Sequence, residues 1–331
     1  MRHLSGNSRT QQGFSLIELL ITLAIMLVVS AIVLSLSYDM TMRQASVANR
    51  SDMHSSVRSV TQILQQEISQ AGRVAWPPRA PLCGGVAGCD YPYTTLTAAV
   101  DVDEDNGGGP AALSVAHPTM LFDGIRLLVD VGDAQEVVAY NEAGDETFQY
   151  DHLAGAEVRP AGAFGEGIIA ATSTGTVLQM FGDINDTGNM VYVEYVCNPD
   201  ADGGTLTRQE VDWDADPADA PEPVVLLRNV LPNPPLPDGT DVDCFTYQRP
   251  DPITVAVDGI NTTFDFTLNV GVTLTAKAEF DDLQTGAEQV ETKALLNVSP
   301  RNVFEAWQLA IINGAKEQVQ PTPPTITALS Q

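Results

Sequence analysis

The chain has 331 residues and a formal net charge of -27, with 16 lysines and arginines against 43 aspartates and glutamates. This balance excludes a basic nucleic-acid-binding surface over the bulk of the chain. Hydrophobic residues make up 44% of the sequence, which is enough for a core, and the length allows one large domain or two modest ones. The acidic residues are mostly aspartates in turns, a pattern typical of a solvated surface.

The chain begins with a short basic leader and continues into an apolar stretch. Residues 1–13 carry two arginines and no acidic residue, and no charge occurs between Leu19 and Tyr38. Because roughly 20 apolar residues span a bilayer as a helix, we predict a transmembrane helix over residues 14–38. The basic leader predicts a cytoplasmic N-terminus and an outer domain on the far side of the membrane.

One acidic residue, Glu18, lies at the start of this apolar stretch. A carboxylate inside a membrane segment is costly and indicates function, unless Glu18 lies at the level of the lipid headgroups. A secretory signal would have a shorter apolar core followed by a small-residue cleavage site. A plain signal anchor would explain the length and the charge of the segment, but not Glu18.

The residues around Glu18 distinguish these alternatives. The string Gly13-Phe14-Ser15-Leu16-Ile17-Glu18-Leu19 resembles the prepilin-peptidase motif of type IV pilins and type II secretion pseudopilins, with Ser15 where threonine is commoner. The resemblance implies that a prepilin peptidase cleaves between Gly13 and Phe14 on the cytoplasmic face. It also implies N-methylation of the new amine on Phe14.

The chemistry of these residues agrees with those roles. Gly13 has no side chain, so its backbone can enter a tight protease site. Cleavage would expose an ammonium on Phe14, about one helical turn from Glu18. In a bundle of apolar helices an unpaired charge costs several kcal/mol. We therefore predict that Glu18 pairs with the Phe14 amine of a neighbouring subunit and sets the axial register of assembly.

A helical pattern continues beyond the membrane segment. Apolar residues recur at steps of three and four from Met53 to Ala71, which predicts one apolar stripe on a helix. Gly72 and two prolines shortly after it end the pattern. The prediction is one continuous helix, in which residues 39–72 form an amphipathic continuation that packs on a β-sheet.

The chain after Gly72 is predicted to be rich in β-strands. Short runs of β-branched and aromatic residues, bounded by turn signals, occur at Ile125–Val131, Glu136–Tyr140, Thr176–Phe181, Met190–Val196, Thr205–Val211 and Ile253–Val257. From Phe264 to Phe280 every even position is apolar, so one face of this segment should be buried. Gly271 marks a bulge or bend there, and the helical stripe should dock on the buried face.

The fold class predicted from these elements is α+β, with a long N-terminal α-helix packed on an antiparallel β-sheet domain enlarged by loops, as in type IV pilins. The segments Asp214–Pro223 and Pro232–Gly239 are predicted loops around the short run Val224–Val230. A β-rich globular domain is expected over residues 73–317. Residues 318–331 contain three prolines and no core-forming pattern, which predicts a disordered tail.

The four cysteines, Cys83, Cys89, Cys197 and Cys244, all follow the membrane segment, which fits an oxidising compartment. Cys83 and Cys89 flank a glycine-rich loop short enough to close as a local disulfide. Cys197 and Cys244 would then pair across strands, although three connectivities are possible. Zinc is disfavoured, because no Cys-x-x-Cys spacing occurs and structural zinc needs four convergent ligands.

Calcium is the one metal ion that the sequence suggests. Oxygen-bearing side chains alternate at Asp183, Asn185 and Thr187, Gly188 allows a sharp turn, and Glu194 stands at the twelfth position. The residues that follow predict a strand where a calcium loop of this kind has a helix. The alternative interpretation is an acidic turn between two strands. The acidic run 101–107 is a second, less regular candidate.

No Gly-x-Ser-x-Gly, P-loop or His-Glu-x-x-His motif occurs, and no enzyme is predicted. The size and layout, with the strings Gln65–Gly72, Gly182–Asn185 and Ser299–Asn302, resemble PilW-like minor pilins and, more distantly, the J-type pseudopilin of type II secretion. The resemblance implies a minor pilin that initiates or caps a type IV pilus. Its implied partners are other major and minor pilins, the prepilin peptidase and the inner-membrane assembly platform.

The same resemblance implies a location for each stage. The precursor would be a single-pass inner-membrane protein with its outer domain in the periplasm, and the mature protein would enter the pilus at the cell surface. Three alternatives remain open from the sequence: a secretion pseudopilus subunit, an adhesin at the pilus tip, and an unrelated enzyme held by a single membrane anchor.

Overall fold

The computed structural model describes residues 15–74, 94–102, 109–116, 121–257, 260–282, 285–312 and 314–331. Its helices are α1 (Leu16–Gln70, 55 residues), α2 (Arg301–Ile311) and α3 (Pro324–Leu329), with 3-10 turns at Gly132–Ala134, Pro217–Asp219 and Lys316–Gln318. The predicted single long helix is α1. Antiparallel sheets follow it, so the predicted α+β fold class is confirmed.

The described strands are β1 (Thr94–Thr95), β2 (Gly109–Ala111), β3 (Arg126–Val129), β4 (Glu136–Ala139), β5 (Glu146–Phe148), β6 (Glu157–Pro160), β7 (Ala163–Phe164), β8 (Val177–Gly182), β9 (Val191–Asn198), β10 (Gly204–Asp212), β11 (Val224–Leu231), β12 (Phe245–Gln248), β13 (Ile253–Val257), β14 (Ile260–Phe264), β15 (Asn269–Lys277), β16 (Val290–Val298) and β17 (Val319–Gln320). Each of the six short predicted runs overlaps a strand, although β8, β9 and β10 extend one or two residues beyond the predicted bounds. The sequence did not predict β11 or β16 as strands, nor α2 as a helix.

The largest sheet in the described residues has seven strands in the order β12-β15-β11-β10-β9-β8, with β16 also paired to β15. A four-stranded sheet has the order β1-β6-β3-β4. The pairs β2-β5 and β13-β14 are antiparallel, whereas β17 runs parallel to β7. Consecutive strands from β8 to β11 are neighbours, so most of the large sheet is built from local hairpins.

The described chain divides into two compact units, residues 1–52 with 278–289 and residues 53–277 with 290–331. In the first unit, the loop between β15 and β16 is held on α1 by two hydrogen bonds. The Asn49 amide donates to the Phe280 carbonyl at 2.6 Å, and the Gln289 amide donates to the Ser46 hydroxyl at 2.9 Å.

In the second unit, the apolar stripe of α1 packs on the seven-stranded sheet, as the sequence predicts. Leu64 and Ile68 are fully buried in one apolar cluster that includes Val270, Val272 and Leu274 of β15. Burial of each large aliphatic side chain contributes about 1.5–3 kcal/mol. Packing of this face, and not helix propensity, therefore holds this part of α1 on the sheet.

The alternating segment Phe264–Phe280 forms two strands instead of one. β14 ends at Phe264 and β15 begins at Asn269, and the even positions are inward-facing up to Ala278, whereas Phe280 is 64% exposed. The bend predicted at Gly271 is confirmed, because the pairing of β15 with β16 shifts register between Val270 and Val272.

Two further apolar clusters complete the second unit. One joins the four-stranded sheet to the large sheet and includes Leu127, Val158, Phe181 and Tyr192. The other packs the inner face of α2 on the segments around β7 and β14, and its members are Ala163, Val255, Phe264, Phe266, Val303, Ala306, Ala310 and Val319.

The prediction of a disordered tail over residues 318–331 is wrong. β17 pairs with β7, and Ile326 on α3 is fully buried. Gln320 is also fully buried, and its amide bonds to the backbone of Arg126 and Ala161. The tail has no core-forming pattern of its own, so its composition suggested disorder. Its few buried side chains depend on partners contributed by distant parts of the chain, which composition does not show.

One of the possible disulfide pairings is present. Cys197 on β9 is bonded to Cys244, just before β12, at an S–S distance of 2.02 Å and a sequence separation of 47 residues. In the chain-entropy model, closing a loop of that length stabilises the fold by about 4 kcal/mol. Cys83 and Cys89 lie outside the described residues.

Candidate functional site

The N-terminal end of α1 carries the predicted assembly residue. α1 begins at Leu16, and the Leu19 N–H donates to the Ser15 carbonyl at 3.1 Å. Glu18 lies in the first helical turn, where the helix dipole favours a negative charge. The predicted cleavage residues Gly13 and Phe14 lie outside the described part of the chain.

The first part of α1 presents large apolar side chains on all sides. No residue from Leu16 to Tyr38 is buried, and Leu16 and Met26 are 79% and 70% exposed. An 18-residue window of this helix has a mean hydropathy of 2.9 and contains no buried residue. In the described residues, α1 is the helix whose length and composition suffice to cross a membrane. Glu18 is the one charged residue from Ser15 to Tyr38.

The C-terminal part of α1 is fixed to the large sheet by a buried ion pair. Glu67 is 8% exposed and accepts a hydrogen bond from the Tyr195 hydroxyl at 2.6 Å. The Arg208 guanidinium donates to both Glu67 oxygens, at 2.9 and 3.2 Å, and to Glu210 at 2.5 Å. This two-pronged contact fixes both the rotation and the axial position of α1 on the sheet.

The electrostatics of this cluster follow from its burial. Burial, followed by the charge of Glu67, raises the pKa of the Tyr195 hydroxyl, so that hydroxyl remains a proton donor. Burial alone would lower the pKa of Arg208, but its hydrogen bonds to Glu67 and Glu210 outweigh burial and raise the pKa. The Glu67 carboxylate therefore accepts hydrogen bonds from one permanent cation, Arg208, and from one neutral hydroxyl, Tyr195.

The end of α1 approaches the backbone of β7 and β8 closely. Gly72 has a φ of +79°, its N–H donates to the Phe181 carbonyl at 2.9 Å, and its carbonyl accepts from the Phe164 N–H at 3.0 Å. A Cβ on Gly167 would lie 2.3 Å from the Gly72 Cα. Glycine is therefore required at both positions, one for its conformation and one for the close approach.

Comparison with known families concerns the N-terminal part of the chain. Residues 8–34 match the family model described as "Prokaryotic N-terminal methylation motif". The chain carries the N-terminal methylation motif of prokaryotic pilins. This motif supports a type IV pilin-like protein, and Gly13, Phe14 and Glu18 all lie inside the match. No curated protein and no solved structure matches the chain.

For a pilin-like protein, the motif and the exposed helix have a common explanation. Pilins are structural proteins and not enzymes, and the motif implies assembly with other pilins and with the pilus machinery. The apolar helix fits anchoring in a membrane. The match ends at residue 34, so it says nothing about the rest of the chain.

The loop predicted to bind calcium lies between β8 and β9. Asp183 is 1% exposed, and its carboxylate accepts hydrogen bonds from the N–H groups of Thr187 at 2.9 Å and Gly188 at 3.3 Å. The Arg73 guanidinium pairs with Asp186 at 2.7 Å. These contacts make Asp183 the internal support of a turn next to the end of α1.

Glu194, the last predicted calcium ligand, is engaged elsewhere. Its carboxylate accepts hydrogen bonds from the Gln179 amide at 2.6 Å and from the Tyr192 hydroxyl at 3.0 Å, both on the sheet. Asn185 and Thr187 are exposed. Across the described residues, no group of three or more histidines, cysteines and acids is arranged to hold a metal ion. Calcium binding stays a prediction, and the second acidic run lies largely outside the described residues.

Replacing Asp183 with alanine is expected to lower the free energy of unfolding by about 1–3 kcal/mol, because two part-buried N–H groups lose their acceptor. Urea unfolding with EDTA measures this loss. If the loop also binds calcium, millimolar calcium stabilises the wild type and leaves the Asp183→Ala variant unchanged. A loss below about 0.5 kcal/mol in EDTA would contradict the supporting role of Asp183.

A buried histidine that the sequence did not single out, His152, lies between β5 and β6. The His152 ring nitrogens lie 3.2 Å from an Asp130 carboxylate oxygen and 2.8 Å from a Glu136 oxygen. The Val131 N–H lowers the pKa of Asp130 most, and His152 lowers it further against burial. The stability contributed by Asp130 is therefore complete at neutral pH and is lost as the pH falls through the lowered pKa.

Proposed function

We propose that this chain is a minor pilin of a type IV pilus, acting in the initiation or tip complex. The observation that carries the proposal is the exposed apolar part of α1 with Glu18 in its first turn, inside the methylation motif. An apolar helix of this length needs either lipid or other apolar helices around it. A pilin uses both environments in turn.

The proposed mechanism has two stages. The precursor is held in the inner membrane by α1, with its outer domain in the periplasm, and the prepilin peptidase cuts between Gly13 and Phe14. In the second stage α1 joins the helix bundle of neighbouring pilins. Glu18 then accepts the methylated Phe14 ammonium of a neighbour, which neutralises two charges that would be costly apart.

The charge of the chain supports a minor role. A net charge of -27 gives strong mutual repulsion between copies packed side by side. A subunit present in one or a few copies avoids that cost, whereas a major pilin packs many identical domains side by side. The same architecture would serve a J-type pseudopilin of a type II secretion system, and the filament proteins that copurify with the chain distinguish the two.

Mass spectrometry of the mature N-terminus tests the class. We expect N-methylated Phe14 in the wild type and in Glu18→Ala, because Glu18 lies beyond the bond that is cut. Incorporation of Glu18→Ala into the filament or tip complex should fall by about tenfold or more, since an unpaired buried charge costs several kcal/mol. Ser30→Ala, an uncharged change in the same apolar segment, should assemble normally. An intact Met1 in the wild type, or normal assembly of Glu18→Ala, contradicts the proposal.

A further inference from the structure

The surface of the second unit has a cleft between α1 and the turn that leads from β16 into α2. Its volume is about 420 Å³, and it is lined by Gln62, Gln65, Gln66, Ser69, Asn297, Val298, Ser299 and Arg301. Next to the cleft, the start of α2 is joined to the end of α1, because the Asn302 amide donates to the Gln70 and Ala71 carbonyls at 3.1 and 3.3 Å. The cleft is therefore a preformed feature of the junction between the two helices.

The chemistry of this cleft differs from that of the chain as a whole. Its lining consists of neutral amides and hydroxyls, one valine and one cation, and it contains no carboxylate. The whole chain has 43 acidic residues against 16 lysines and arginines. Arg301 is exposed and makes no ion pair with any described residue. The cleft can therefore receive a carboxylate without a competing acidic group on its walls.

The outward face of α2 continues from this cleft. Arg301, Phe304, Gln308 and Ile311 recur at steps of three, four and three, and all four are exposed. Phe304 is 39% and Ile311 is 56% exposed, and the Phe304 ring lies 5.6 Å from the ring of Trp307. Phe304 and the neighbouring Trp307 ring give this face a contiguous apolar patch, and such patches mark interaction surfaces. Aromatic residues and arginine are also the residue types enriched where binding energy is concentrated.

We propose that the cleft and the outward face of α2 dock a segment of a different protein subunit, one that carries a carboxylate beside an apolar side chain. The carboxylate would pair with Arg301, the amides of α1 would bond to its backbone, and its apolar side chain would cover Phe304. A second copy of this chain is a poor occupant, because two chains of -27 repel each other. The inference rests on the proposed function in so far as the partner is a subunit of the same assembly.

Photo-crosslinking of the full-length protein in cells tests this docking. The crosslinking residue p-benzoylphenylalanine replaces Gln66 on the cleft wall, and in a control it replaces Leu236, which is 51% exposed on a loop between β11 and β12. We expect Gln66 to crosslink to a peptide of another subunit that contains Asp or Glu, as identified by mass spectrometry. The Leu236 position should not give that peptide.

Substitutions at the surface then test the chemistry. Arg301→Glu should lower the Gln66 crosslink by about fivefold or more, because it opposes the incoming carboxylate. Arg301→Lys keeps the charge and should retain the crosslink within about twofold. Phe304→Ser should also lower it. A crosslink to a second copy, to lipid or to a peptide without acidic residues overturns the inference. So does the absence of any crosslink, or a crosslink that Arg301→Glu leaves unchanged.

The two proposals fail in different ways. If Phe14 is methylated and assembly depends on Glu18, but the cleft gives no such crosslink, the docking inference alone is wrong. If the mature protein retains Met1, the proposed function is wrong whatever the cleft binds.

Discussion

Replacing Glu67 with alanine is expected to lower the free energy of unfolding by about 3–5 kcal/mol, which is the usual cost of removing one partner of a buried ion pair. The carboxylate is 10% exposed at its side chain and the Arg208 side chain is 18% exposed. Its removal leaves the guanidinium with only Glu210 and leaves the Tyr195 hydroxyl without its acceptor. Urea unfolding of the detergent-solubilised full chain, followed by tryptophan fluorescence, measures the loss.

Glu210→Ala is the matched control for this prediction, because Glu210 pairs with the same guanidinium but is 37% exposed. Exposed pairs contribute about 0–1 kcal/mol. A double-mutant cycle of Glu67→Ala with Arg208→Ala isolates the coupling between the helix and the sheet. Equal losses for Glu67→Ala and Glu210→Ala would show that the buried pair does not hold α1 on the sheet.

Gln320→Ala is expected to destabilise the protein by about 2 kcal/mol or more, because the buried Arg126 N–H and the Ala161 carbonyl lose their side-chain partner and each costs about 1–3 kcal/mol. The Arg126 carbonyl keeps its hydrogen bond from the Ala161 N–H at 2.9 Å. The Gln320 side-chain oxygen accepts from the Arg126 N–H at 2.8 Å. The Gln320 amide donates to the Arg126 carbonyl at 2.7 Å and the Ala161 carbonyl at 2.5 Å. This side chain joins the C-terminal segment to β3 and to the residue after β6.

Gln308→Ala makes the same chemical change on the exposed face of α2 and should alter stability by less than about 0.5 kcal/mol. Denaturant unfolding of the two variants under one set of conditions compares them directly. If both variants have the stability of the wild type, the Gln320 side chain does not hold the C-terminal segment on the fold. Removal of the whole segment also takes away the fully buried Ile326, so we expect truncation at residue 318 to be more damaging than Gln320→Ala.

The candidate assembly site was accessible to sequence reasoning because its signals are local. Gly13, Phe14 and Glu18 form a contiguous motif, and the apolar stretch after Glu18 is long enough to identify by itself. The calcium prediction used the same kind of local spacing, and the structure places Asp183 and Glu194 in separate hydrogen-bond networks. Spacing along a loop does not determine which way a side chain on the following strand points.

The features that sequence reasoning missed depend on contacts between distant residues. Nothing around Glu67 indicates that Arg208 will bind it, since the pair is separated by 141 positions. β16 carries charged residues at Glu291 and Lys293 and has no clear alternation, so only its pairing with β15 identifies it as a strand. The Arg301 cleft exists only because the start of α2 lies beside α1.

The sequence by itself determined the apolar helix, the amphipathic stripe from Met53 to Ala71 and the α+β fold class. Each of these follows from a periodicity or a motif within one segment, and local patterns are set by helix and strand geometry. The tertiary structure decided how α1 is locked to the sheet, that the C-terminal tail is ordered and that Cys197 pairs with Cys244. These features depend on partners that lie far apart in the chain. Burial of a polar side chain such as Gln320 is costly without a hydrogen-bond partner and stabilising with one.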